Sequence, residues 1–151
     1  MQKITTFLWF DNQAEEAVRF YTSIFKNSKV VTDLRMGEKV LTATFELEGQ
    51  RFIALNGGPR YKFTEAISLF ISCETQGEVD YYWDHLLEGG GEGQCGWVKD
   101  RFGLSWQVVP TALSRFLSDP NPKKSKAALD AMLKMHKIVI ADLQKAHDSV
   151  D

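Results

Sequence analysis

The sequence predicts an α+β fold: two βαβββ modules whose strands form a cupped mixed sheet, followed by a C-terminal helical tail. Three observations predict it. Short β-branched and aromatic runs are each joined to one amphipathic helix. That pattern occurs twice, with Phe20-Tyr21 answered by Tyr82-Trp83 at an offset of 62 (82 less 20). The composition then changes after Pro110.

The first module opens with Ile4–Phe10, a strand that stops at Asp11-Asn12. Asn12-Gln-Ala-Glu15 fits a capping box, in which the Asn side chain satisfies a free helix amide and the Glu reaches back. Ala17, Phe20, Tyr21, Ile24 and Phe25 follow at helical spacing and make one apolar face. Strands at 29–34, 40–47 and 51–55 are separated by Met36-Gly37-Glu38 and Glu48-Gly49-Gln50, both hairpin turns by composition.

The second module begins with a strand at 66–73 and a second capping box, Thr75-Gln-Gly-Glu78. Val79, Tyr82, Trp83, Leu86 and Leu87 form its helical stripe. Glu88–Gly93 reads as a loop, with strands at 97–99 and 104–109 around Asp100-Arg-Phe-Gly103. Matching the helices aligns Thr6 with Ser68, whereas the capping boxes differ by 63 (75 less 12), a slip of one residue. In the tail, 111–117 is a short helix broken by Asp119-Pro-Asn-Pro122. Ser125 caps a longer helix through Met135, and 141–147 is a last one. Their apolar stripe requires a surface to pack on: the chain's own sheet, the simpler choice, or a partner subunit.

The expected organisation is therefore one domain of 151 residues, with module one at 1–58, module two at 64–110 and the tail at 111–151. A chain of this length buries roughly 68–70% of its unfolded surface, enough to fold without disulfide or structural metal. A net charge of −2, with its cations dispersed, argues against a nucleic-acid surface. Lys123, Lys124 and Lys126 make the only basic cluster, read as a solvated face. Cys73 and Cys95 form no CxxC, no stretch reaches membrane-spanning length, and no signal peptide pattern is present. A reducing cytoplasm is the expected location.

The helix pattern Ala17, Phe20-Tyr21, Phe25 and the run Asp100-Arg-Phe-Gly103-Leu-Ser-Trp106-Gln107 resemble the vicinal-oxygen-chelate superfamily of glyoxalases, extradiol dioxygenases and bleomycin and fosfomycin resistance proteins. Phe7-Leu-Trp9-Phe10, Leu55-Asn-Gly-Gly58, Phe63-Thr-Glu65-Ala66 and Cys95-Gly-Trp97 resemble its PhnB-like subgroup, often labelled 3-demethylubiquinone-9 3-methyltransferase. The resemblance covers residues 3–110 and extends over most of the tail. It implies a cup of strands with a ligand inside, and a homodimer.

Metal-dependent members of that superfamily place His or Gln, Glu, His and Glu on the first and last strand of each module. Carried over, those positions are Thr6 (Thr5 if the register slips), Ala54, Ser68 and Gln107. None is a carboxylate or imidazole, so no metal site and no cofactor is expected. His85, His136 and His147 fall outside the cup strands. The methyltransferase label is not supported by a Gly-rich turn between a strand and a helix, since neither Gly57-Gly58 nor Gly89-Gly90-Gly91 continues into one.

Strand alternation with Thr6 and Ser68 facing inward yields a ligand-binding set of Thr6, Leu8, Phe10, Phe52, Asn56, Ser68, Phe70, Ser72 and Gln107, with Trp97 at the rim. Trp9 and Trp106 then pack under helices. An apolar cavity with scattered polar groups suits an aromatic or planar small molecule. The function expected is small-molecule binding, with no catalytic residue assigned. The alternatives are a metal-independent enzyme, either an isomerase or the methyltransferase of the label, and an interaction protein whose polar groups fill a closed cup. Cys95 is a candidate reactive thiol with no cationic neighbour to activate it, and Glu65 is placed to close over the cavity.

Overall fold

A computed structural model describes residues 2–151. The chain divides into two compact units, with the boundary between Phe63 and Thr64. In the first, the order is β1 (Thr6–Phe10), α1 (Ala14–Ile24), β2 (Ser28–Met36), β3 (Lys39–Leu47) and β4 (Gln50–Asn56). These strands form one sheet in the order β1-β4-β3-β2, with β1 parallel to β4 and the other pairs antiparallel. The second unit repeats this plan with β5 (Ser68–Cys73), α2 (Gln76–Leu87), β6 (Gly91–Glu92), β7 (Trp97–Lys99) and β8 (Ser105–Pro110). Its sheet runs β5-β8-β7-β6, again with the outer pair β5 and β8 parallel. A parallel pair needs a crossover, and in each unit one helix and the intervening strands supply it. Among the described residues no helix is long and apolar enough to cross a membrane.

The turns behave as their sequences require. Glu48 and Gly49 both have positive φ (49° and 80°), the two-residue primed turn that matches strand twist. Gly37 begins the other hairpin at φ 67°.

The expected loop at Glu88–Gly93 contains the edge strand β6, paired through Gly91 with Lys99 and through Glu92 with Val98. A Cβ at Gly90 would lie 2.0 Å from the Lys99 carbonyl oxygen. Bare backbone is what lets this strand approach, and bare backbone carries no hydrophobic alternation to read.

The capping expectations divide. At α2, the Thr75 hydroxyl accepts from the Glu78 amide (3.1 Å) and Glu78 accepts from the Glu74 amide (2.8 Å), so the box forms with its acid reaching one residue further back. At α1 the Asn12 box is not built: Gln13 occupies the cap position and makes no side-chain cap bond. The Ala14 amide instead donates to Asn56 Oδ1 at 2.8 Å, from the end of β4.

The tail is α3 (Ala112–Leu117), α4 (Pro122–Leu133) and α5 (Ile140–Asp148). Asn121, not Ser125, caps α4: its side chain accepts from the Lys123 amide, and Pro122 follows in the first turn. The segment expected only to break one helix thus also starts the next. The tail packs on its own unit. Phe116, Ala128, Ile138 and Leu143 bury together with Val109 of β8. Met135 and His136 carbonyls accept from Cys95 and Gly96 amides, both at 2.8 Å. Gln76 on α2 donates to the Ile138 carbonyl (3.0 Å) and accepts from the Ile140 amide (2.8 Å).

Candidate functional site

Each sheet has one face under its helix and one open face, and the two units settle these faces differently from the 62-residue offset. In the second, Val98, Trp106, Val108 and Cys73 are buried, and α2 buries Val79, Tyr82, Trp83 and Leu86. The opposite face carries Ser68, Phe70 and Ser72 of β5, Gln107 and Val109 of β8, and Trp97 and Lys99 of β7. Phe70 on this face is 59% exposed.

In the first unit, Tyr21 of α1 stacks on Phe45, and Phe45 stacks on Phe52, at ring separations of 6.2 and 5.4 Å. Phe52 is paired with Thr6, and Ala54 with Leu8. Thr6, Leu8, Phe10, Phe52 and Asn56 therefore lie on the helix side, a correction to the expected binding set. Leu8, Phe10 and Phe52 are core, and the Asn56 amide is committed to the Ala14 amide and, through Nδ2, to the Val40 carbonyl (3.0 Å). Trp9 changes sides with them. It lies on the open face, where Nε1 donates to the Gly58 carbonyl (2.9 Å) and Tyr61 meets its ring edge-on. Trp106 is under the helix as expected, with Nε1 donating to buried Asp100 (2.8 Å).

The backbone shows where the register slips. Gly57 donates to the Phe10 carbonyl as Thr111 donates to the Cys73 carbonyl, both at 2.8 Å. Phe10 is thus the counterpart of Cys73, an offset of 63 (73 less 10), the value the capping boxes carried. Thr5 and Ile53, not Thr6 and Ala54, are then the counterparts of Ser68 and Gln107. At these positions the first unit carries Thr5 and Ile53 and the second Ser68 and Gln107, none of them a carboxylate, thiolate or imidazole of the kind a transition metal prefers. Among the described residues no group of three or more His, Cys, Asp or Glu side chains is placed to hold a metal.

Five of the expected residues do come together, all on the second sheet: Ser68, Phe70, Ser72, Trp97 and Gln107. Strand register sets Phe70, Gln107 and Trp97 in one row across three neighbouring strands. Gln107 Nε2 donates to Ser68 Oγ at 3.0 Å, which fixes the amide plane. Leu113, Ser114 and Leu117 of α3 and Met132 of α4 line, together with this row, a half-open cavity of about 490 Å³. Its polar lining is Ser72, Cys95, Gln107, Thr111 and Ser114; among the described residues no carboxylate, imidazole or cation lines it. The tail residues are the part sequence reasoning missed. Their signal was present in the i, i+4 pair Leu113 and Leu117, but nothing local says which surface such a stripe covers.

Trp97 also borders an adjoining hollow of about 360 Å³ lined by Glu65, Glu92, Lys99 and Ser105. There Lys99 and Glu65 pair at 2.5 Å, and the Lys99 ammonium holds the Glu65 carboxyl below its usual range. Glu65 closes this hollow and does not line the main cavity. Burial, helped by the Glu78 charge, pushes the Cys73 thiol up to about 11, so it stays protonated at neutral pH. The histidines lie elsewhere: His85 bonds the Tyr81 carbonyl (2.7 Å), His136 the Gly93 carbonyl (2.8 Å), and His147 lies between Asp119 and Asp148.

A family model described as 3-demethylubiquinone-9 3-methyltransferase matches residues 2–109. The tail helices lie beyond that match, although the resemblance was expected to extend over them. A Bacillus cereus structure described as a 3-demethylubiquinone-9 3-methyltransferase, PhnB protein, is 37% identical with a TM-score of 0.69, over 73% of this chain and 100% of that one. A Pseudomonas aeruginosa protein is 18% identical with a TM-score of 0.63, over 73% of this chain and 98% of that one. The fosfomycin resistance protein FosX of Listeria monocytogenes, solved with Mn(II) and sulfate, is 15% identical with a TM-score of 0.53, over 77% and 99%. These last two show the fold alone. No curated protein matches the chain.

Proposed function

The chain belongs to the 3-demethylubiquinone-9 3-methyltransferase family, in the PhnB-like branch of the vicinal-oxygen-chelate superfamily, and on that premise we propose that it is a small-molecule-binding protein working without a metal. The observation that carries the reading is the cavity of about 490 Å³ between the open face of the second sheet and the tail. Its size and its apolar walls with few polar groups are those of a small-molecule site. Catalysis is the weaker reading. Methyl transfer to a hydroxyl, or isomerisation, calls for a proton acceptor, and among the described residues no carboxylate or imidazole lines the cavity. Metal independence rests on the donor chemistry of Thr5, Ile53, Ser68 and Gln107. A homodimer, as the resemblance implies, is part of the same proposal.

The test uses protein purified without added metal and the fluorescent probe N-phenyl-1-naphthylamine. Saturable enhancement is expected, and Leu113→Trp, which fills the cavity, should abolish it while the Tm is retained. Elemental analysis should find no stoichiometric metal, and native mass spectrometry should give a dimer. Absence of saturable binding, or binding indifferent to Leu113→Trp, would sink the reading.

A further inference from the structure

We infer that the cavity selects an uncharged, planar ligand carrying an O–H or N–H donor, with Gln107 Oε1 as the group that reads the donor. This rests on the binding reading above and adds the ligand's chemical class. The floor of the cavity is the row Phe70–Gln107–Trp97, an amide flanked on the neighbouring strands by two aromatic side chains. A flat molecule lying along this row covers both rings and brings its edge to the amide.

The amide has a defined polarity. One Nε2–H is donated to Ser68 Oγ at 3.0 Å, which fixes the amide and leaves Oε1 as its acceptor for a ligand. A carbonyl oxygen accepts only, so it recognises a hydroxyl or an N–H and discriminates against an ether or ketone placed there. Leaving a desolvated acceptor unmade is what makes such a site selective.

Charge is excluded on separate grounds. Among the described residues no carboxylate, imidazole, ammonium or guanidinium lines the cavity; Lys99, Glu65 and Glu92 border the next hollow, where Lys99 and Glu65 are paired with each other. An ionised ligand would lose water there with no opposite charge to meet it, the costly case. Ser68 is a positioning residue: it touches Gln107 and holds its amide.

The test measures dissociation constants of 2-naphthol, 2-methoxynaphthalene and 2-naphthoate on the full chain by equilibrium dialysis. The three share a ring system and differ in donor, acceptor and charge. We expect 2-naphthol to bind about tenfold more tightly than 2-methoxynaphthalene, the value of roughly one net hydrogen bond, with 2-naphthoate weakest. Gln107→Leu should lower 2-naphthol to the level of the ether while leaving the ether unchanged. Ser68→Ala frees the amide to turn, so the preference should shrink, and Ser68→Thr, which keeps the hydroxyl, should restore it. Equal binding of naphthol and ether, or a naphthoate preference, overturns this inference and leaves the binding reading standing. If none of the three binds, both fall.

Discussion

Asn56 Oδ1 accepts a 2.8 Å hydrogen bond from the Ala14 amide, so the last residue of β4 caps the helix that follows β1. The same side chain donates to the Val40 carbonyl on β3. One amide thus ties a helix start to two strands and takes over the work expected of Asn12.

Asn56→Ala should cost about 1–3 kcal/mol, because it removes a cap and leaves a partly buried carbonyl without its donor. Asn56→Asp keeps the acceptor and places negative charge at a helix N-terminus, so it should cost less. Urea denaturation of the two variants checks the order, and an equal loss would mean the cap contributes little.

Trp106 and Asp100 form the matching anchor of the second unit. Asp100 is 2% exposed, and its carboxylate accepts from Trp106 Nε1 (2.8 Å) and from the Phe102 and Leu104 amides. Trp106→Phe takes a donor from a buried charge and should destabilise by about 2–4 kcal/mol. A loss below roughly 1 kcal/mol in chemical denaturation would show that packing alone holds this corner.

Gly96 joins β7 to the tail. Its φ is +87°, and a Cβ would lie 2.9 Å from both the Val108 carbonyl oxygen and Ile138 Cδ1. Gly96→Ala should therefore strain the backbone and push Ile138 out of the tail core, costing at least about 1–3 kcal/mol. Limited proteolysis should cut the variant after Pro110 faster than the parent chain; unchanged protection would separate the tail's hold from this contact.

His147 clamps α5 to the turn between α3 and α4. Hydrogen bonds to Asp148 (3.0 Å) and Asp119 (2.7 Å) raise its pKa, and the Asp119 and Asp148 carboxyls are both lowered. A raised histidine stabilises fully below its unfolded pKa of about 6.5 and loses that contribution as pH rises through the folded value. The lowered carboxylates stabilise above their unfolded value of about 3.9 and lose it as pH falls through the folded one. The clamp should hold best from roughly pH 4 to 6.5. The urea midpoint of the parent chain should exceed that of His147→Gln most in this window, and the gap should narrow toward pH 9. A gap independent of pH would leave His147 a packing role on Phe116.

Much of this was legible in order along the chain. Strand and helix identities follow from two periods, 2.0 and 3.6, that any stretch of Ile, Val and Phe displays or does not. The box at Thr75 was legible because a cap is made by neighbours. The cap at Ala14 was not, because its acceptor lies 42 residues away. The binding set failed in the first unit for a related reason. Strand side chains alternate, so an error of one residue moves Thr6, Leu8, Phe10, Phe52 and Asn56 together to the other face. The helices repeat at 62, as do their cap positions Gln13 and Thr75, whereas the strands repeat at 63, so an alignment on the helices carries the slip into the strands.

By itself the sequence determined the βαβββ plan and its duplication. These depend on residue type and local spacing, and local backbone preferences express them directly. Only the tertiary structure decided which face of each sheet is open, and that the tail covers the second one. An amphipathic stripe states that a surface must be buried but not against what, and Leu113, Leu117 and Met132 meet Phe70, Trp97 and Gln107 only through the path of the folded chain.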